Sequence, residues 1–120
     1  MLLIGVGNIQ GQNKSDIEDL TVEDFFKKVN IRDTSVFVYF YADWCVPCVK
    51  LKPVIAELEK EYKGKIKFLK LDVDENPKVS LHFEINTLPF FIIYKNSKQV
   101  WNNNTFMSKE KLSAKLNQYR

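Results

Sequence analysis

The chain has 120 residues, 45% of them hydrophobic and 13% aromatic, and its 18 Lys and Arg against 15 Asp and Glu leave a net charge of +3. That composition describes one globular domain with a real core, and it excludes a disordered chain. It also lacks the basic stripe interleaved with aromatics that nucleic-acid binding needs, and no apolar run approaches the ~20 residues of a membrane span.

Met1 to Val6 is apolar but has no basic flank, and it is shorter than the apolar core of about 7–15 residues in a secretory leader. Asn8 to Ser15 is polar. Residues 1–15 therefore read as a loose extension to a domain over 16–120. An edge strand over Leu2–Val6 is the alternative, and a leader already removed from a precursor stays open. Asn13-Lys14-Ser15 and Asn103-Asn104-Thr105 match the glycosylation pattern, which recurs by chance in an Asn-rich chain.

Ile17–Leu20 predicts a short strand. Thr21 with Asp24 three residues on predicts a helix start, and Phe25, Phe26 and Val29 give that helix an apolar face. Val36-Phe37-Val38-Tyr39-Phe40-Tyr41 reads as a buried strand. From Val49 to Lys63 the apolar residues Leu51, Val54, Ile55, Leu58 and Tyr62 recur at helical spacing, with Pro53 predicting a kink and Gly64 a stop.

Ile66–Leu71 is the next strand and Asp72–Asn76 its exit loop. Pro77 opens a short helix to Phe83. After a loop over Glu84–Leu88, Pro89 precedes the strand Phe90–Tyr94, and Asn96-Ser97 turns into Gln99–Asn102. Ser108 caps a last helix with Leu112, Leu116 and Tyr119 on one face. The order β-α-β-α-β-α-β-β-α is that of an α/β domain, with parallel pairs joined by helical crossovers first and a hairpin last. Phe25, Phe26, Phe37, Phe40, Leu58, Phe68 and Phe91 are expected in the core.

The chemistry concentrates in Trp44-Cys45-Val46-Pro47-Cys48, which holds the only two cysteines. They fall where a strand ends and a helix begins. There the unpaired N–H groups and the positive end of the helix dipole favour an anion, so Cys45 is expected to ionise readily and act as a nucleophile. Two thiols at this spacing can close a small disulfide. A static disulfide and a zinc site are the alternatives. With His82 as the only further N/S ligand, a four-ligand zinc site needs carboxylates or a second chain.

Further motifs carry a resemblance. Ala42-Asp43-Trp44-Cys45-Val46-Pro47-Cys48, the helix proline Pro53, Lys70-Leu71-Asp72-Val73-Asp74-Glu75-Asn76-Pro77, Leu88-Pro89 before a strand and Tyr94-Lys95-Asn96 follow one another as in the thioredoxin family. The chain resembles that family from about residue 16 to residue 120. The resemblance implies a central mixed sheet with helices on both faces, and a cis Leu88-Pro89 peptide packed against the disulfide. It implies a protein-disulfide reductase in which Cys45 attacks a client disulfide and Cys48, the more buried of the two, resolves the mixed disulfide. Trp44, Val46, Pro47, Leu88 and Pro89 would meet the client, and Lys70 would lie behind the site. Electrons would come from a thioredoxin reductase or another thiol donor. No cofactor beyond the Cys45–Cys48 pair is expected, and a monomer in the cytoplasm is.

The chain departs from the family six residues before Cys45. The family usually has a buried acid there that moves the proton of the resolving cysteine; here the residue is Tyr39. A phenol with a pKa near ~10 is a poor base at neutral pH, so slower turnover is expected, with Tyr39 filling the space and its hydroxyl within reach of Lys70. Val46 replaces a usual glycine, Thr105-Phe106 replaces a glycine and a small residue, and Phe90 stands where threonine is common. Val46-Pro47 offers the Cys45 thiolate neither a positive charge nor a hydrogen-bond donor of its own, unlike the histidine of oxidants and isomerases. A low reduction potential follows. The second reading is an interaction or adaptor module on the same fold with slow or vestigial redox activity.

Overall fold

The computed structural model describes residues 19–120. The expected extension over residues 1–15, its alternative edge strand and the first half of the strand predicted over Ile17–Leu20 lie outside the described residues. Asp19 and Leu20 themselves are not strand. Asp19 sits at φ 52°, its N–H donates to the Glu75 carbonyl at 2.6 Å, and the buried Leu20 donates its N–H to Asn76 Oδ1 at 3.0 Å.

The described elements are α1 (Val22–Val29), β1 (Ser35–Tyr41), α2 (Val46–Glu61), β2 (Ile66–Asp72), α3 (Pro77–His82), β3 (Phe90–Lys95), β4 (Lys98–Asn103) and α4 (Lys109–Tyr119). Thr21 caps α1 by accepting from Asp24 N at 3.0 Å, and Ser108 caps α4 by accepting from Lys111 N at 3.2 Å. Each hydroxyl satisfies one of the N–H groups a helix start leaves unpaired. The two-residue hairpin turn needs positive φ at both positions, and Asn96 (51°) and Ser97 (69°) supply it. Gly64 ends the turn after α2 at φ 84°. Nothing crowds that position, so it is the conformation that calls for glycine.

Among the described residues the sheet has four strands in the order β2-β1-β3-β4. β1 runs parallel to β2 and antiparallel to β3, and β3 and β4 form the antiparallel hairpin, so the sheet is mixed as expected. Side chains alternate across β1. Val36, Val38 and Phe40 face α1 and α3 with Phe25, Val29 and Val79, while Phe37 and Tyr39 face α2 and α4 with Leu51, Ile55, Leu58, Leu112 and Leu116. A strand covered on both faces reads as an unbroken apolar run, which is why 36–41 does not alternate.

Phe26 was expected in the core and is 39% exposed, lying edge-on to Phe25 at 5.1 Å and to His82 at 5.6 Å. The short α1 buries only one narrow stripe, and Phe25 and Val29 fill it. Phe68 is half-buried, its ring 5.0 Å from Phe37. α2 runs unbroken through Pro53, and Tyr62 at its end is buried with its hydroxyl 2.7 Å from Asn117 Oδ1 of α4.

Asn76 ties the start of the described chain to the loop after β2. Fully buried, it accepts from Leu20 N–H and donates through Nδ2 to the Asp72 carbonyl at 3.1 Å. Asn76→Ala strands two buried backbone groups and is expected to cost about 2–4 kcal/mol of unfolding free energy in a urea titration. A loss within about 0.5 kcal/mol, the usual scale of surface changes, would mean that the tether does not hold.

Candidate active site

β1 delivers the chain to Ala42, which accepts Cys45 N–H at 3.2 Å, and α2 begins at once. Cys45 is the N-cap residue, Val46 and Pro47 open the first turn, and Cys48 is the third helical residue. The Cys45 Sγ accepts the Cys48 N–H at 3.2 Å. That is the position a serine or aspartate oxygen takes in an ordinary N-cap, here held by sulfur. No acidic side chain lies in the first turn of α2, so no carboxylate competes for the positive end of the dipole.

The two cysteines form a disulfide with their Cα atoms 5.2 Å apart. Cys48 was expected to be the more buried, yet the residues are nearly alike at 6% and 4% exposure, because both pack into one small cluster with Ala42. Tyr41, Val73 and Leu88 close around that cluster. The Leu88-Pro89 peptide is cis and leads directly into β3, with Pro89 buried. Trp44 and Val46, on either side of Cys45, are 67% and 66% exposed, and Pro47 is exposed beside them. The Trp44 indole N–H donates to Asp74 Oδ2 at 2.9 Å, and Asp74 N donates to Asp72 Oδ1 at 2.8 Å. The loop after β2 thereby holds the indole beside the disulfide.

Tyr39 lies behind the pair. Its ring stacks on Phe91 (centroids 5.5 Å, planes 17° apart) and on Tyr41 (5.3 Å, 24°), and its hydroxyl donates to the Cys48 carbonyl at 3.5 Å. Burial, and then the neighbouring Tyr41, push the phenol pKa well above the ordinary tyrosine value. The hydroxyl keeps its proton across the physiological range.

The expected contact between Tyr39 and Lys70 is not made. The two residues are paired in register between β1 and β2, but Lys70 Nζ is 2.7 Å from Glu59 Oε1 of α2, with both side chains more than 40% exposed. The stack on Phe91 and Tyr41 directs the phenol to the first turn of α2, while the long lysine finds a carboxylate in solvent. An exposed pair of this kind contributes little stability.

Sequence reasoning missed Tyr41 and Val73 as walls of the disulfide cluster and Asp74 as the partner of Trp44. Tyr41 had a signal, since it lies two residues from Tyr39 on the same face of the strand. The Trp44–Asp74 contact spans 30 positions and had none. His82 is exposed against Phe26 and Phe83. Among the described residues no group of three or more His, Cys, Asp or Glu could hold a metal, and no helix is long and apolar enough to cross a membrane.

Comparison with known proteins agrees with this geometry. The family model described as Thioredoxin matches residues 16–118. The thioredoxin of Rickettsia felis is 42% identical over 81 residues, covering 68% of this chain and 77% of that protein. The thioredoxin of Staphylococcus aureus is 38% identical over 104 residues, covering 86% of this chain and 97% of its own length. In structure, Fasciola hepatica thioredoxin superimposes with a TM-score of 0.76 at 27% identity, over 85% of this chain and 97% of that one. A cysteine pair at a helix start, inside a mixed sheet with helices on both faces and among relatives of this kind, has one reading: the chain belongs to the thioredoxin family and is a thiol–disulfide oxidoreductase that reduces protein disulfides.

Proposed function

We propose that Cys45 is the attacking thiolate and Cys48 the resolving cysteine. The observation that supports this is the N-cap position of the Cys45 sulfur, which accepts the Cys48 N–H at a helix start free of acids. In the reduced protein the Cys45 thiolate attacks one sulfur of a client disulfide; that S–S bond breaks and the other client sulfur leaves as a thiolate. Cys48, after losing its proton, attacks the Cys45 sulfur, and the client departs with its second thiol. Two electrons pass to the client, and the Cys45–Cys48 disulfide remains. A thioredoxin reductase or another thiol donor returns the pair to the dithiol.

In this reading Trp44, Val46 and Pro47 bear on the client. Leu88 and Pro89 offer it a backbone edge, where Pro89 has no N–H to compete. Lys70, tied to Glu59, takes no part. The domain works as a monomer over residues 16–120, needs no metal or organic cofactor for the exchange, and suits a reducing, cytoplasmic setting.

Cys48→Ser removes the resolving thiol and is expected to accumulate a mixed disulfide with a disulfide-bearing protein such as insulin, read by mass spectrometry on Cys45. Cys45→Ser is expected to form none and to lose at least ~100-fold in insulin reduction, since nucleophile and resolver act as a unit. If Cys45→Ser kept its biological role, the adaptor reading would stand instead.

Tyr39, held neutral, cannot take the Cys48 proton, so the proton goes to solvent and release is slow. Tyr39→Asp restores a base and is expected to raise insulin reduction by about tenfold, part of what a positioned base contributes. Tyr39→Phe, which keeps the ring, is expected to leave the rate within about twofold of the wild type. Equal rates for Asp and wild type in a folded variant would sink the proton-transfer account.

The raised phenol pKa also fixes an alkaline signature. Below the ordinary tyrosine pKa of ~10 both native and unfolded Tyr39 are neutral and stability is unaffected. Above it the unfolded chain gives up the proton while the native state keeps it, so unfolding becomes easier as pH rises. Between roughly pH 9 and 11 the urea midpoint of the oxidised protein is expected to fall, and more shallowly in Tyr39→Phe. Parallel curves for the two would remove Tyr39 as the source.

A further inference from the structure

The outer face of α2 is unusual for a solvent-facing helix. Its buried side carries Cys48, Leu51, Ile55 and Leu58. At 3.6 residues per turn, Val46, Val49 and Pro53 fall about half a turn away, on the opposite side. Val46 is 66% exposed, Val49 is 56% exposed, and Pro53 is also exposed. Over its first two turns the helix is thus apolar on both faces. The exposed Lys50 and Lys52 border this strip, and the first acid on the helix is Glu57. On the far side of Cys45 the charges are reversed, with Asp43 exposed and Asp74 holding Trp44.

We propose that the strip Val46–Val49–Pro53, with Lys50 and Lys52, is a docking surface for the client segment beside the disulfide under attack. It fits a segment that places an aliphatic or aromatic side chain among acidic ones. This rests on the reading of Cys45 as nucleophile. Two features select the occupant. The strip starts at the residue after Cys45 and is continuous with the place where a client sulfur must sit. Its lysines, free of acids within the same two turns, complement a negative segment rather than a positive one. Val49 is the specificity-determining residue, because a valine on the solvent face has no core to serve there.

The test uses the full chain, reduced beforehand, and two short peptides that differ only beside their single cysteine. One carries Leu between two Glu, the other Ser between two Lys, and in both the cysteine is a mixed disulfide with thionitrobenzoate. The Cys45 thiolate bonds to the peptide sulfur and thionitrobenzoate leaves with the electron pair, its release followed by absorbance. Cys48 then displaces the peptide thiol. The ratio of second-order rate constants is expected to favour the Leu/Glu peptide about tenfold, about threefold of it from the partly buried aliphatic contact and the rest from charge. In Val49→Ser the ratio is expected to fall to about threefold, what remains being the charge contribution, which salt should screen. In the Lys50→Glu, Lys52→Glu double variant the charge part should reverse.

A ratio near one in the wild type, or one unchanged in Val49→Ser, overturns the strip while leaving the redox reading in place. A concentration-dependent dimer abolished by Val49→Ser in sedimentation equilibrium assigns the strip to a second copy and overturns the client as occupant. No thionitrobenzoate release from either peptide overturns the nucleophile reading, and the strip falls with it.

Discussion

One hydrogen bond organises this molecule: the Cys48 N–H directed at the Cys45 sulfur. A helix start leaves several N–H groups without partners, and a small polar side chain at the N-cap usually supplies one. Here a sulfur stands in that role, so the group that caps the helix in the folded state is the one we propose as the attacking thiolate. Pro47, having no N–H, removes one of the competing donors, and the Val49 N–H is taken by the Cys45 carbonyl at 3.1 Å. The rest of the fold holds that helix end still. Leu51, Ile55 and Leu58 pack α2 on the sheet, Tyr62 ties its far end to α4, and β1, buried on both faces, fixes where the helix begins.

The residues behind the disulfide show a choice between proton transfer and packing. A carboxylate buried where Tyr39 sits would cost several kcal/mol in lost hydration unless paired. The phenol avoids that cost by stacking between Phe91 and Tyr41, and it places a neutral donor near the Cys48 carbonyl. The wall behind the disulfide is therefore aromatic, and it supplies no base. Lys70, freed from any buried partner, spends its charge on Glu59 in solvent. In the proposed exchange Cys45 keeps its helix end as nucleophile, while Cys48 as resolver relies on water.

How much of this could be read from the residues depended on whether local pattern or distant contact decided it. The apolar run over 36–41, the helical spacing of Leu51, Ile55 and Leu58, the capping pairs at Thr21 and Ser108, and the Asn96-Ser97 turn are local, and the elements they mark formed within a residue or two of their expected bounds, save α2, which starts three residues early at Val46. The cysteines at a strand-to-helix junction were legible for the same reason. The exposure of Phe26 and the partners of Lys70 and Trp44 were not. Periodicity puts Phe26 beside Phe25 without saying how wide a stripe the sheet can cover. Strand register pairs Tyr39 with Lys70 without saying where a long flexible side chain goes. The Asp74 partner of Trp44 comes from another loop altogether. The near-equal burial of Cys45 and Cys48 likewise reflects the Tyr41, Val73 and Leu88 walls, which arrive from three separate segments.

In the proposed reading the same helix separates chemistry from recognition, its inner face packed on the sheet and its outer face open to solvent. The inner face is constrained by the sheet: Cys48, Leu51, Ile55 and Leu58 are buried, and a change of volume there moves the helix start and with it the sulfur. The outer face is mostly open to solvent, with Val46 66% and Val49 56% exposed, so its composition is less constrained by packing than that of the inner face. On the proposed docking strip, client preference would be tuned by residues one turn from Cys45 while the hydrogen bond at its sulfur stays the same. The departures at the surface, Val46 and Phe106, and the departure in the interior, Tyr39, belong to different constraints: in the proposed exchange the first two bear on which disulfides reach Cys45, and the third on how fast Cys48 lets them go.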